Sequence, residues 1–509
     1  MVAARHRAPS RLATARARFR ADFPGVSPRP LLLGIDEGTT GVRVVAVDTD
    51  LNPVAEATRR KATIHPEAGR VEQDPEAVLD AVVDAVAEVL GGLDGEVVAC
   101  GIDHQGASVL ACDGETGAPR SNVIVWQDTR SQPLLQGLRP PVFEEVKRQS
   151  GLPVDPTYSA GKIAWLVEQG LPAGTRIGTV DAFLTDRLGG VFATDPSTAS
   201  RTQLARAQFG AADWDPRLLE IFGVDRALLP PVADSAGELG TLRHERWPQD
   251  LPLRARVVDQ QAALAGAGCV TPGRVKATYG TGVSVLAHAG TESPWGGGVL
   301  VPTVAWRIDG RTEYALDGGV LSAGALLEWL CVELGVAEGP AALAELAGHV
   351  EDAGGVRILP ALAGVGSPWW RTDATAMIAG LRAGTTRAHV ARAALEAIAW
   401  RVADVVETIA ERVPIDELRT GGRLTGHPLM LQLQADACGV PVERGPADAT
   451  AAGAAALAAV GAGVWPSTES IADRVAAAER TLPQRPAAWR EAEHAAWRAF
   501  VQAAAVFEP

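Results

Sequence analysis

Asp259 ends an apolar run at Val257-Val258 and is followed by Gln260 and Gln261; a little further on, Gly280-Thr281-Gly282 forms a turn between strand-like residues. A carboxylate at the end of a hydrophobic strand can take a proton, and a small Gly-Thr-Gly turn lets backbone N–H groups approach an anion closely. Together they point to phosphoryl transfer. Each also has a purely structural reading, Asp259 as the N-cap of a helix over QQAALAGAG and the glycines as an ordinary hairpin turn. A second set repeats the theme. Asp36 closes the apolar run Leu31 to Ile35, where a carboxylate can hold Mg²⁺ directly or through water. Gly38, Thr39, Thr40 and Gly41 then make a compact turn, and Arg43 adds a cation. These groups suit a nucleotide phosphate, although a solvated turn with a locally hydrogen-bonded acid also fits.

Other routes to such chemistry are missing from the chain. It has no glycine-rich loop ending in Gly-Lys-Ser or Gly-Lys-Thr, no His-Arg-Asp and Asp-Phe-Gly pair, no His-Glu-x-x-His and no Gly-x-Ser-x-Gly. A net charge of -14 argues against nucleic acid as the main partner. Cys100, Cys112, Cys269, Cys331 and Cys438 are scattered without metal-ligand spacing and read as buried thiols of a reducing, cytoplasmic compartment. The uncharged run Ala451 to Trp465 is Ala- and Gly-rich and short for a bilayer, so it reads as a tightly packed helix and no membrane partner is expected.

Elements that must position these groups follow from the periodicity. With 509 residues the chain is long enough for two domains. Residues 1–30 form a basic lead-in, read as a frayed tail outside the fold. Strands at Leu31 to Ile35 and Val42 to Val47 flank the first turn, and a third strand follows Asn52-Pro53. Asp74-Pro75-Glu76 starts a helix whose buried face carries Val78, Val82, Val86 and Val89, with Gly91 at its end. A strand at Val97 to Ile102 runs into Asp103-His104-Gln105-Gly106. The same order recurs from Gly273, with a long helix marked by Val390, Leu395, Ile398, Val402, Val406 and Ile409 and a strand from Leu418 into Gly421-Gly422. Alternating strands and helices in two similar halves predict a layered α/β protein with its phosphate hairpins across a cleft.

The chain resembles the FGGY carbohydrate kinases, closest to their glycerol kinase branch, from Leu32 to about Trp465. GIDEGTT, ETGAPRSNVIVWQDTR, GLPVDP with SAGKIAWL, ATDPSTASRTQL, VVDQQAALAGAGCVTPG, ATYGTG and GLRAGTTRAHVARAALEAIAW carry the resemblance. It implies duplicated actin-like, ribonuclease-H-like domains, 31–268 on the substrate side and 269–509 on the nucleotide side, with ATP and substrate in the cleft between them. It also implies a homodimer or homotetramer. By the same resemblance Asp259 is the general base, and Asp36 and Asp259 are the carboxylates facing Mg²⁺. Gly38, Thr39, Thr40, Arg43, Gly280, Thr281 and Gly282 would attend the phosphates of ATP, and Gly324, Glu328, Gly421 and Gly422 would lie along the nucleotide.

Departures from the family pattern concentrate in the acceptor pocket, read as His104, Gln105, Gly106, Ala107, Trp126, Thr157, Tyr158, Asp259, Gln260 and Ser284. Gly106-Ala107 stand where glycerol kinases carry Arg-Glu, Thr157 where they carry tyrosine, and Ser284 where they carry phenylalanine. Trp126, Asp259 and Gln260 are retained. Losing a polar clamp and two aromatic walls predicts an acceptor larger than glycerol, a longer polyol or a sugar. His104 is a candidate for a sugar hydroxyl or a packed structural residue, and Tyr158 a substitute wall. On the adenine side Thr420 and Gly426 replace an acid and an asparagine, and Glu328 replaces a glutamine. The alternatives are glycerol kinase proper and a catalytically weak binding or regulatory protein on the same fold.

Overall fold

A computed structural model describes residues 29–294, 299–371, 373–446, 448–475 and 479–504. All but the last two residues of the basic lead-in lie outside the described residues. A single thirteen-stranded sheet runs through both halves. In chain order its strands are β1 (Pro30–Glu37), β2 (Gly41–Val47), β3 (Pro53–Arg60), β4 (Glu96–His104), β5 (Ala236–Leu242), β6 (Leu251–Val258), β7 (Gly273–Tyr279), β8 (Val283–Gly290), β9 (Val301–Ile308), β10 (Arg311–Val320), β11 (Ile415–Gly421), β12 (Val442–Arg444) and β13 (Arg480–Thr481).

The expected duplication is visible in the strand order. In the first half β3, β2 and β1 pair antiparallel, then β4 and β6 join parallel to β1; in the second, β10, β8 and β7 pair antiparallel, then β11 and β12 join parallel to β7. The half-sheets meet where β9 runs beside β5, at one residue pair, Ile308 and Ala236.

Alternation along β1 serves two cores, because successive side chains leave opposite faces of a strand. Leu31, Leu33 and Ile35 pack with helix α1 (Pro75–Gly92) in the first-half core. Leu32 points the other way, into a core shared with helix α2 (Asp259–Gly266), helix α6 (Ala449–Gly461) and the second-half residues Leu286 and Trp306. Asp74 caps α1, its carboxylate accepting from Glu76 N at 3.0 Å, and Pro75 begins it. The helix continues through Gly91 to Gly92 rather than stopping at Gly91. In the second half, helix α3 (Gly324–Val332), the long helix α4 (Arg387–Ala410), helix α5 (Pro428–Cys438) and helix α7 (Ala487–Ala504) surround the other core.

Ala451 to Trp465 does contribute a packed helix, and α6 crosses from the second chain segment onto the sheet of the first. Its composition explains how. A Cβ on Gly34 of β1 would lie 1.8 Å from Ala451 O, one on Gly101 of β4 2.0 Å from Ala454 O, and one on Gly453 1.8 Å from Ala262 O of α2. Backbone therefore rests on backbone at three places. All five cysteines are free thiols, and no helix among the described residues is long and apolar enough to cross a membrane.

Candidate active site

The central parallel strands bring three carboxylates to one end of the sheet. Asp36 on β1 is directly beside Asp103 on β4, and Val257 of β6 is beside Asp103 on its other side, so Asp259 follows two residues later at the start of α2. Asp259 does not act as a helix cap. It is the first residue of α2, the cap position is Val258, and Asp259 Oδ1 accepts from its neighbour Gln260 N at 2.7 Å. Burial, with the charge of Asp259 second, raises the Asp36 carboxyl to about 6. Burial also raises Asp259, opposed by His104, the Gln260 N–H, Lys276 and Arg201. Two acids that share a site and resist ionisation mark a place built for a cation or a proton.

The first hairpin is held by contacts on both sides. Trp126 Nε1 donates to Thr39 Oγ1 at 3.0 Å, Gln73 Nε2 to Thr39 O at 2.6 Å and Lys61 N to Thr40 O at 3.1 Å. Beneath it lies a polar cluster the sequence reading missed: Lys61 Nζ donates to Glu37, and Gln105 Nε2 donates to Glu37 Oε1 at 3.1 Å and Gln73 Oε1 at 2.9 Å. Arg43 turns away from this position, pairing with Glu56 at 2.8 Å and, across the halves, with Asp448 at 2.7 Å. Its expected phosphate contact must compete with two carboxylates.

The second hairpin is braced by the start of α3. Gly280 N donates to Gly282 O at 2.8 Å, Gly324 N to Gly280 O at 3.0 Å and Ala325 N to Thr281 O at 3.1 Å. Gly422 has φ +96° and sits so close that a Cβ would lie 2.1 Å from Tyr279 O, so the glycine is obligatory there. A cavity of about 770 Å³ opens beside this hairpin, lined by Gly280, Thr281, Gly324, Glu328, Leu395, Arg423, Leu424, Gly426, His427 and Met430 among others. Four residues assigned to the nucleotide by resemblance thus line one cavity, and Gly421-Gly422 lead into its Arg423 wall.

On the acceptor side Gln260 is the pivot. Its Oε1 accepts from Lys276 Nζ at 2.9 Å and from Ser284 Oγ at 2.8 Å. A lysine ammonium only donates, so the oxygen must face it and the amide NH₂ is left to donate elsewhere. Ser284, read from sequence as a lost wall, therefore has a defined polar partner. Tyr158 is buried, with the Arg201 guanidinium 6.0 Å from its ring centre, and Arg201 is paired with Asp317 at 2.5 Å. Thr157 N donates to Asp155 Oδ1 at 2.8 Å, and its carbonyl accepts from Lys162 Nζ at 2.5 Å.

His104 stands differently from its reading as a hydroxyl ligand. It is fully buried, Nδ1 lies 3.1 Å from Gln105 O, Nε2 lies 2.9 Å from Thr198 Oγ1, and Asp181 is 3.5 Å away. Both ring nitrogens are engaged within the protein, so His104 is held as a packed residue. Gln105 is likewise buried in the Glu37 cluster. A Cβ on Gly106 would lie 2.7 Å from Val258 Cγ2, and Ala107 takes a left-handed φ of 60°. Any larger residue at position 106 requires Val258 to move.

Asp103, Lys61, Lys276, Arg201 and Asp317 were missed in the sequence. Two of them had a signal there. Gly-Ile-Asp occurs twice, at Gly34-Ile35-Asp36 and Gly101-Ile102-Asp103, and both glycines admit the backbone of α6 while both aspartates stand one residue before a strand's last. Lys276 interrupts an apolar strand on the face opposite Val275, Ala277 and Tyr279.

Duplicated sheets of this order, with a Gly-Thr turn in each half and a carboxylate between them, define the actin-like, ribonuclease-H-like class. Models of the FGGY family of carbohydrate kinases match the chain in both halves, the N-terminal domain over residues 31–266 and the C-terminal domain over residues 275–462. The glycerol kinase of Gloeobacter violaceus is 38% identical over 449 residues, 87% of this chain and 90% of that protein. That of Thermus brockianus is 39% identical over 492 residues, 93% and 98%. Among solved structures, Plasmodium falciparum glycerol kinase with ADP superposes with a TM-score of 0.88 at 25% identity, covering 95% of this chain and 100% of that one. A ligand-bound xylulose kinase from Lactobacillus acidophilus shares the fold, with a TM-score of 0.85 at 21% identity, covering 94% and 99%. The chain belongs to the FGGY family of carbohydrate kinases, and is a phosphotransferase acting on an alcohol group.

Proposed function

We propose that this kinase transfers the γ-phosphoryl group of ATP to a hydroxyl of glycerol or a closely related small polyol, with Asp259 as general base. The observation that carries the reading is the position of Asp259, at the end of the central parallel strands and joined through Gln260 to Lys276 and Ser284 of the second hairpin. Its raised affinity for a proton suits a group that must accept one as the hydroxyl oxygen attacks phosphorus. The Gln260 NH₂ would donate to an acceptor oxygen beside it. Thr39 to Gly41 and Gly280 to Gly282 offer N–H and hydroxyl groups to the phosphates, and the 770 Å³ cavity takes the base. Catalysis of this kind is mostly alignment and charge neutralisation in a site closed to water.

The carboxylates fit a divalent cation. Asp36 lies at a strand end beside Asp103, whose two oxygens meet no donor among the described residues. Asp36, with Asp103 beside it, would hold a divalent cation together with phosphate oxygens and water. Bound there, it would supply neutralisation of the phosphate charge.

The expectation of an acceptor larger than glycerol is weakened by the relatives, which are named glycerol kinases over most of the chain. Ser284 also has a polar partner in Gln260, and Tyr158 is buried beside Arg201. A second reading, a longer polyol, rests on the small residues Gly106 and Ala107. A coupled ADP-release assay over glycerol and C4 to C6 polyols and ketoses separates them. Glycerol should turn over best; turnover confined to the longer acceptors would reverse the order. Asp259→Asn should lower kcat by about 10²- to 10⁴-fold while ATP still binds, and unchanged turnover would remove Asp259 as the base.

A further inference from the structure

Asp103 is the member of the strand-end trio that was not read from the sequence as a site residue. It is fully buried, and neither Oδ1 nor Oδ2 accepts a hydrogen bond from any donor among the described residues. Its near neighbour is instead another acid, Asp36, in direct register across β1 and β4. Nearby cations are occupied elsewhere: Lys61 by Glu37, Arg43 by Glu56 and Asp448, Lys276 by Gln260. A buried carboxylate with no donor is unfavourable unless a proton or a metal ion satisfies it.

We propose that Asp103 is a second carboxylate for the divalent cation that accompanies the nucleotide, acting with Asp36. This rests on the kinase reading given above. Two carboxylates plus phosphate oxygens and water are a usual set for Mg²⁺, which seldom has an all-protein cage. Two carboxylates leave the remaining positions to phosphate oxygens and water, so the nucleotide would bring part of the site with it. Asp259 remains outside the pair, available for the acceptor proton. The competing explanation is a proton shared between Asp36 and Asp103 that serves only to hold Asp36 in place.

Electron paramagnetic resonance titration of Mn²⁺, with and without ADP, distinguishes these on the full-length protein. Wild type should bind Mn²⁺ much more tightly with ADP present. Asp103→Asn should weaken that binding by about tenfold or more while metal-free ADP binding, read by calorimetry, is unchanged. An amide at this position can still donate to Asp36. Mn²⁺ affinity equal to wild type in Asp103→Asn would therefore overturn the proposal and leave the shared proton. Asp103→Ser, smaller and unable to overpack, is read the same way if the amide variant does not fold. Wild type that binds ADP but no Mn²⁺ would overturn the cation reading as a whole, a different result from an unaffected variant.

Discussion

At the scale of single residues, the site is a set of acids whose charges are set by burial. Asp36 is held at about 6 chiefly by burial, with Asp259 adding to it. Below that pH its carboxyl is protonated and carries no charge toward a cation; above it the charge is present. kcat/KM for the nucleotide, which reports the free enzyme, should thus fall as pH drops through about 6. A profile from about pH 5 to 8 that stayed flat would contradict the role given to Asp36. Gln260 offers a second check. Ser284→Ala removes one of two donors to Gln260 Oε1 and leaves Lys276 to orient the amide. A lost hydrogen bond of about 1 kcal/mol should raise the acceptor KM by about two- to tenfold with a smaller change in kcat. Steady-state kinetics with an unaltered KM would mean that Ser284 does not position Gln260. Asp259, Asp36 and the two turns were legible in sequence because each is a polar break in an apolar run. His104 was left open between a hydroxyl ligand and a packed residue because sequence alone does not tell which face of β4 a strand-end residue leaves; its ring is buried on Gln105 O and Thr198 Oγ1.

At the scale of elements, the carboxylates are aligned by a helix with almost no side chains. α6 can lie on β1, β4 and α2 only because Gly34, Gly101, Gly266 and Gly453 leave room for opposing carbonyl groups. Gly453→Ala would place a methyl 1.8 Å from Ala262 O, backbone that cannot swing aside. It should cost about 1–3 kcal/mol or more, as overpacking does. Gly91→Ala is the matched control: it lies in helix α1 with nothing within 4 Å of the added methyl. That substitution should instead stabilise by about 0.5–1 kcal/mol. Urea unfolding of both variants reads the contrast, and equal effects would argue against backbone packing at α6. The helix itself was legible from its Ala- and Gly-rich run. Its destination was not, because small residues permit close packing without naming a partner.

At the scale of the molecule, two half-sheets of like order share a core built from α2 of one segment and α6 of the other. The duplication was legible from the repeated strand, turn, strand pattern. The single residue pair that joins the sheets, Ile308 beside Ala236, was not, since neither strand carries a turn or charge signal for it. The exchange of α6 has a further consequence in the order of synthesis. β1 and β4 leave the ribosome early, but the helix that covers Gly34 and Gly101 is among the last elements made. Until then the face of the first sheet that carries Gly34 and Gly101 lacks its main cover. The first half therefore cannot finish folding as it emerges, and its completion waits for a contact between the two ends of the chain, the kind of long-range closure that slows folding and leaves apolar surface open to aggregation.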